Sequence, residues 1–252
     1  HARDIRDLVL RGEYLYTANG ADGFEVFDVA NIDHEGFSER IVTTPVSPLG
    51  QRTRIRTRYA TSVILPSTLG VDPLRQTNPP TMTHPKLGEL YSDNEEQARG
   101  LPYGFVYVTD REEGLVNVLV GTLVDGNPSN NFLDEPYLGL PPVTRFNPEG
   151  QLTGLEHGYF AGARHLYLVG RNGLFVVDVS DPTKPEIKGH LPSRDASGSA
   201  KSSGLVLNRP HAIAVQWRYA FISDADGVKV ASFEPLIDAK TKAIYLETIG
   251  NP

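Results

Sequence analysis

Four copies of one hairpin pattern recur along this chain and limit the folds that it can adopt. Each copy has a short apolar run, a turn and a second run in which apolar side chains alternate with polar ones, as half-buried β-strands require. The copies span residues 14–29, 105–120, 166–179 and 219–233. The third is the clearest, because Asn172-Gly173 between two apolar runs is the strongest short signal for a β-hairpin. This recurrence indicates a repeat architecture.

Further strands complete each repeat. A predicted first strand precedes each hairpin, at residues 5–10, 59–65, 155–161 and 211–215. A predicted fourth strand follows three of the hairpins, at residues 38–43, 185–191 and 243–249. Four short antiparallel strands per unit are typical of a propeller blade. The pattern therefore predicts an all-β fold, a β-propeller or partial propeller of about four recognisable four-stranded blades, in a single domain over residues 1–252.

The predicted blades cover residues 4–43, 56–125, 151–192 and 207–250. The second blade is interrupted, because residues 66–102 separate its first strand from its hairpin, where a hairpin loop usually has about 2 to 5 residues. This insertion is rich in proline and then acidic, with no sustained period. We interpret it as an excursion that covers a blade edge or is partly mobile, or as a loop that binds a partner or acts as a lid. Residues 126–150 are expected to link the second and third blades.

Composition excludes several functional classes. The formal charge of −7 argues against a nucleic-acid partner, because non-specific affinity for nucleic acid comes mainly from a basic surface. No apolar run approaches the ~20 residues of a membrane-spanning helix. The chain contains no cysteine, so it offers no disulfide, thiolate metal site or covalent haem attachment motif. It also has no Gly-x-Ser-x-Gly elbow and no Gly-rich phosphate loop, and we assign no catalytic residue.

Residues 173–182 resemble the signature of the LVIVD-repeat family, whose repeats carry a Leu-x-Ile-Val-Asp strand followed by Asp-Pro. In the first unit Asp28 keeps the aspartate of that strand, whereas the second and fourth units have Leu119 and Ser232 there. The resemblance implies a β-propeller in a secreted, periplasmic or surface-exposed protein. Because propellers of that family usually have more than four blades, it also implies a ring completed by further blades of the same polypeptide or by a protein partner.

Some members of that family occur with multihaem c-type cytochromes in extracellular electron transfer. The resemblance therefore implies a non-catalytic structural or interaction module of an extracytoplasmic assembly, an accessory or sheath subunit whose candidate partner is a multihaem cytochrome. Haem is expected in this chain only if His1 follows a Cys-x-x-Cys that precedes these residues, in which case His1 would be an axial ligand.

An alternative function stays open, that of a metal-binding or enzymatic propeller. Aligning the blades on their second strands puts Arg6, His157 and His211 at one position, with Thr61 in the second blade. These side chains would lie at the mouth of the central channel, where His157 and His211 could bind zinc or copper. The competing interpretation is that the two histidines hydrogen-bond neighbouring blades or water.

The remaining candidate residues have architectural interpretations. The acidic turns at 22–23, 110–114 and 224–227 could bind calcium, but hairpin geometry alone explains Asp and Gly there. Asp28 and Asp178 are expected to accept hydrogen bonds from backbone amides between blades. A carbohydrate-binding face would depend on Trp217, the only tryptophan. Six aromatic residues alternate at strand spacing and are expected to pack between blades: Tyr14, Tyr16, Tyr107, Tyr167, Tyr219 and Phe221.

Overall fold

Four antiparallel sheets, each built from strands in chain order, make up the fold. The computed structural model describes residues 4–29, 52–67, 101–125, 130–162, 164–194, 206–216 and 219–232. The sheets are the four blades of a β-propeller, and only short helical turns accompany them in the described ranges. The predicted all-β propeller fold is confirmed.

Blade 1 consists of β1 (Asp7–Arg11), β2 (Tyr14–Ala18), β3 (Phe24–Asp28) and β4 (Arg54–Ile55). Blade 2 consists of β5 (Ala60–Ile64), β6 (Phe105–Asp110), β7 (Gly114–Leu119) and β8 (Val143–Phe146). Blade 3 consists of β9 (Leu155–Ala161), β10 (His165–Gly170), β11 (Gly173–Asp178) and β12 (Glu186–Pro192). The described strands of blade 4 are β13 (Ala212–Gln216), β14 (Tyr219–Asp224) and β15 (Gly227–Ser232).

The outer strands differ from the sequence prediction in blades 1 and 2. Blade 1 takes β4 as its described fourth strand, whereas the strand predicted at 38–43 lies outside the described residues. Blade 2 takes β8 from the stretch expected to be an irregular link, and β8 pairs with β7. The strand predicted at 243–249 and residues 68–100 of the predicted insertion also lie outside the described residues.

Three hydrophobic clusters hold the blades together in chain order. The first lies between blades 1 and 2 and includes Tyr16, the second lies between blades 2 and 3 and includes Tyr107, and the third lies between blades 3 and 4 and includes Ile222. The middle sheets contribute apolar side chains to a cluster on each face. Burial of this surface, at about 25 cal/mol per Å² of apolar area, is the main stabilising contribution.

Two residues set how closely blades 2 and 3 approach each other. Gly158 in β9 has no room for a side chain, because a Cβ there would overlap Cδ1 of Ile64 and lie 2.7 Å from Cδ2 of Leu168. Asn117 in β7 is fully buried, and its Nδ2 donates a hydrogen bond to the Pro182 carbonyl at 2.7 Å. The Asp-Pro turn after β11 is thereby tied to the neighbouring blade.

Candidate functional site

The first strands of the four blades line the centre of the propeller, since β5 packs on β1, β9 on β5 and β13 on β9. Arg6 and His211 occupy equivalent places just before their first strands. The backbone N–H of Arg6 donates to the Ala18 carbonyl at 2.8 Å, and that of His211 donates to the Ser223 carbonyl at 3.0 Å. Two of the three residues predicted at the channel mouth are therefore structurally equivalent.

His157 lies one residue further along its strand than the sequence alignment predicted. It pairs with Val169, as Asp7 in blade 1 pairs with Ala18, so Glu156 is the residue of blade 3 that corresponds to Arg6. The cause is the turn between β9 and β10, which runs from Ala161 to His165 and has one residue more than the corresponding turn of blade 1. Because side chains alternate along a strand, a shift of one residue reverses the direction of the side chain.

A chain of polar contacts joins blades 1, 2 and 3 beside these positions. The Tyr59 hydroxyl donates to Asp4 Oδ2 at 2.9 Å, and the guanidinium groups of Arg6 and Arg111 lie 5.8 and 4.7 Å from the centroid of the Tyr59 ring. Arg111 also donates two hydrogen bonds to Glu156, at 2.8 and 2.9 Å, which raise the pKa of Arg111. The charged groups here bind one another across blades.

The imidazole of His157 is half-buried. Burial lowers the pKa of His157, and the nearby Asp7 carboxylate opposes that change. Within the described part of the chain, no hydrogen-bond partner contacts its Nδ1. Asp7 is held in place because its Oδ2 accepts a hydrogen bond from the Val63 backbone N–H at 2.9 Å. A neutral imidazole with an uncommitted nitrogen can accept a proton or bind a metal ion.

The His211 ring, in contrast, already contacts two partners. Its Nδ1 lies 3.4 Å from the Arg209 carbonyl and its Nε2 lies 3.1 Å from the Ser223 hydroxyl. With the proton on Nδ1, the ring donates to the carbonyl and accepts from the hydroxyl, so a metal ion at Nε2 would have to displace Ser223. Over the described ranges, no three His, Asp or Glu side chains form a group that could hold a metal ion. A zinc or copper site at His157 and His211 stays a prediction.

Aspartates at the ends of β6 and β14 organise the hairpin turns. Asp110 Oδ1 accepts hydrogen bonds from two backbone N–H groups of its own turn, and its Oδ2 accepts one from the Tyr59 N–H at 2.6 Å. Asp224 repeats this arrangement with its own turn and with the Asn208 N–H at 2.9 Å. These hydrogen bonds explain the aspartates in the turns by hairpin geometry, as the sequence analysis expected. Calcium binding at these turns stays a prediction, and it would compete with the backbone donors.

Asp178 accepts its hydrogen bonds within its own turn instead of between blades. The backbone N–H and the hydroxyl of Ser180 donate to Oδ1 at 2.8 and 2.6 Å. Although partial burial opposes the change, these bonds hold the pKa of Asp178 below its ordinary value. Asp28 occupies the equivalent place in blade 1, opposite Tyr14, and burial together with this carboxylate raises the pKa of Tyr14. Asp178 therefore holds its own turn in place.

The first and last blades each carry apolar side chains on the face that no described blade covers, which the sequence patterns did not reveal; on blade 1, Leu8 and Leu10 are more than half exposed, whereas Leu15 and Phe27 are half-buried. The register places four apolar side chains on each, and we call these surfaces the two end faces. The end face of blade 1 consists of Leu8, Leu10, Leu15 and Phe27, and that of blade 4 consists of Ala214, Phe221, Val228 and Val230. Tyr16 and Tyr107 are buried between blades as predicted, whereas Phe221 is 39% exposed. The end faces could have been predicted from the alternating apolar residues of the first and last blades, because each of these blades has a neighbouring blade in the chain on one side only.

Two of the predicted candidates, His1 and Trp217, lie outside the described residues. The haem-ligand and carbohydrate hypotheses that depend on them therefore stay predictions. No helix within the described ranges is long and apolar enough to cross a membrane.

Comparison with known proteins identifies the repeat. No curated protein matches the chain. Similar solved structures include the computationally designed Ika4 protein, with 11% identity, a TM-score of 0.45 and 92% of each chain covered. They also include the Cps50 (Swd1) beta-propeller domain of Myceliophteria thermophila, with 10% identity and a TM-score of 0.46. The latter match covers 97% of this chain and 55% of the other, so this chain spans about half its length. The LVIVD repeat matches residues 2–43 and 165–191, and the chain therefore carries LVIVD repeats in its first and third units, as the resemblance predicted.

Proposed function

We propose that this chain is a non-catalytic structural and interaction module of an extracytoplasmic assembly, and that it serves there as an accessory or sheath subunit in extracellular electron transfer. The observation that carries the interaction role is the pair of apolar end faces on a well-packed scaffold. Exposed apolar patches on folded proteins mark sites of protein contact. The LVIVD repeats support the extracytoplasmic setting, because the resemblance implies secreted or surface proteins, some of them associated with multihaem cytochromes.

The polar contacts around Tyr59 and in the hairpin turns support a structural role as well. Arg111 and Glu156 neutralise each other across two blades, and Tyr59 and Asp4 are hydrogen-bonded across two blades. Asp110 and Asp224 satisfy backbone donors of their own blades. Charged groups that are committed to one another hold blades in register, and they would have to be released before they could act on a substrate.

The test has a location arm and a partner arm. In cells that make the protein, fractionation should recover it outside the cytoplasm. The purified chain, immobilised on a sensor, should retain the multihaem c-type cytochromes of the same cell, detected by haem absorbance. A single-haem cytochrome c serves as the control and should pass through. Recovery of the chain in the cytoplasm, or equal retention of both cytochrome classes, would overturn the proposal.

A second candidate function, metal binding at the channel mouth, is favoured by the uncommitted Nδ1 of His157 beside Asp7. The purified chain would be dialysed against zinc or copper and then against buffer, and its metal content would be measured. On this hypothesis the wild type keeps metal and His157→Ala loses it. Equal metal content in both proteins would reject the site.

A further inference from the structure

The two end faces repeat the pattern of the buried surfaces between blades. At each internal contact, an aromatic side chain from the second strand of one blade shares a cluster with an apolar side chain at the end of the first strand of the next blade. The three pairs are Tyr16 with Leu65, Tyr107 with Phe160, and Tyr167 with Val215. In the second pair the rings stack with centroids 6.0 Å apart. The same two strand positions therefore meet in one cluster at each of the three blade contacts.

The strand register assigns a fourth pair to the two ends of the chain. Phe221 is the third residue of β14, the second strand of blade 4, and Tyr16 is the third residue of β2, the second strand of blade 1. Phe221 pairs with Ala214 in the first strand of its blade, as Tyr16 pairs with Val9. Leu10 stands in β1 where Phe160 stands in β9, because each lies opposite the second residue of the strand beside it. Phe221 is 39% exposed and Leu10 is 54% exposed, whereas Tyr16 is fully buried. The chain therefore contains both residues of a fourth pair, but they lie on different end faces and both are exposed.

A neighbouring position shows the same contrast. Leu8 in β1, Val63 in β5 and Ile213 in β13 each lie opposite the fourth residue of the second strand. Val63 and Ile213 are each 4% exposed because the preceding blade covers them, and Leu8 is 56% exposed. The face of blade 1 thus has the residue types of a covered inter-blade surface at the positions where blades 2 and 4 are covered.

We propose that the end face of blade 4 binds the end face of blade 1 in a second copy of this chain, so that Phe221 of each copy packs on Leu10 of the other and two copies close one eight-blade ring. A second copy carries both faces, and it covers both by bringing together the two strand positions that share a cluster at each of the three internal blade contacts. Propellers typically have 4–8 blades, so two copies reach a permitted ring and three would exceed it. Head-to-tail contacts of this kind generate a closed ring when the rotation closes.

This inference rests on the proposed function only in its use of the end faces as contact surfaces. It names a second copy as the partner that covers both faces, so a cytochrome would contact another surface of the closed ring. Its test needs no cytochrome. A single-chain protein that retains multihaem cytochromes would overturn the ring alone, and a two-chain ring that retains none would overturn the electron-transfer role alone.

The first measurement is the mass in solution, by light scattering on a sizing column at micromolar concentration. We expect twice the chain mass of 27.6 kDa for the wild type, and the single-chain mass for Leu10→Asp and for Phe221→Asp. The matched control is Val206→Asp, because Val206 is also 39% exposed and lies before β13, outside both faces; it should keep the two-chain mass. A single-chain wild type, or loss of the two-chain mass in only one of the two face variants, would overturn the ring.

The second measurement uses the absence of cysteine from the chain. Leu10→Cys and Phe221→Cys are made separately, and the two proteins are oxidised alone and as a mixture, with circular dichroism to check that each is folded. We expect a covalent two-chain product in the mixture and in neither protein alone. Cross-linking of Leu10→Cys with itself would indicate contact between two blade 1 faces and would overturn the proposed arrangement. Protection of Phe221→Cys by an added multihaem cytochrome, without cross-linking in the mixture, would assign the face to the cytochrome instead.

Discussion

Replacing Asn117 by aspartate tests whether the hydrogen bond between blades 2 and 3 is buried as the structure shows. The Nδ2 of Asn117 donates to the Pro182 carbonyl at 2.7 Å, and the residue is 0% exposed. Aspartate has nearly the same shape, but its carboxylate would direct an acceptor oxygen at the carbonyl oxygen. A buried carboxylate without a donor takes up a proton, since the protonated form is the one that tolerates burial and can donate to the carbonyl.

The cost follows from that protonation. At pH 7, protonating a carboxyl whose ordinary pKa is about 3.9 costs roughly 4 kcal/mol, because each pH unit corresponds to about 1.4 kcal/mol. For a chain of this size each kcal/mol lowers the melting temperature by about 2–4 °C, so Asn117→Asp should lower it by roughly 8–16 °C. At pH 5 the cost falls to about 1.5 kcal/mol, and most of the loss should be recovered.

Asn172→Asp is the matched control. The Nδ2 of Asn172 also donates to a carbonyl, that of Gln151, at 2.9 Å, but in a partly exposed turn where water solvates the carboxylate and Asp-Gly is also favoured. Its melting temperature should stay within a few degrees of the wild type at both pH values. Thermal melts followed by circular dichroism at pH 7 and pH 5 make the comparison. Equal melting of the two variants at pH 7, or a difference that does not shrink at pH 5, would refute the reasoning.

Two further predictions concern packing and pH. Gly158→Ala should destabilise the fold by about 1–3 kcal/mol through overpacking, because the added Cβ meets Ile64; an unchanged denaturation midpoint would show that blades 2 and 3 are less closely packed. Burial lowers the pKa of His165; the nearby Arg164 and Lys188 lower it further, and the Asp178 carboxylate opposes the change. The imidazole therefore binds a proton more readily in the unfolded chain than in the folded one. The free energy of unfolding should therefore decrease as the pH falls through about 6.5, and His165→Gln should have a flatter profile between pH 7 and 5; identical profiles would contradict this.

Much of the fold followed from local patterns. The hairpin of β10 and β11 was predicted from Asn172-Gly173 and alternating apolar residues, and both signals act over a few residues of contiguous chain. The strand β8 was not predicted, because Val143–Phe146 is short and lies in a stretch rich in turn-forming residues. It becomes a strand by pairing with β7, a partner distant in sequence.

The candidate site was predicted only in part, and the errors have a geometric cause. Aligning blades by counting residues put His157 with Arg6, whereas one additional residue in a turn made Glu156 the equivalent. Glu156 then pairs with Arg111 of the neighbouring blade, a contact that no spacing within one repeat could indicate. The ring contacts of His211 depend on Ser223, which lies across the strand pair.

The repeat, the inner three strands of each blade and the hairpin turns could be predicted from the sequence, because alternation and turn chemistry are properties of short segments. Only the tertiary structure decided which apolar residues are covered. Tyr107 and Phe221 occupy the same position of the same repeat, yet Tyr107 is fully buried and Phe221 is 39% exposed. The physical reason is that burial requires a surface on the other side, and blade 3 supplies that surface to Tyr107 by packing Phe160 against its ring, whereas Phe221 lies on an end face.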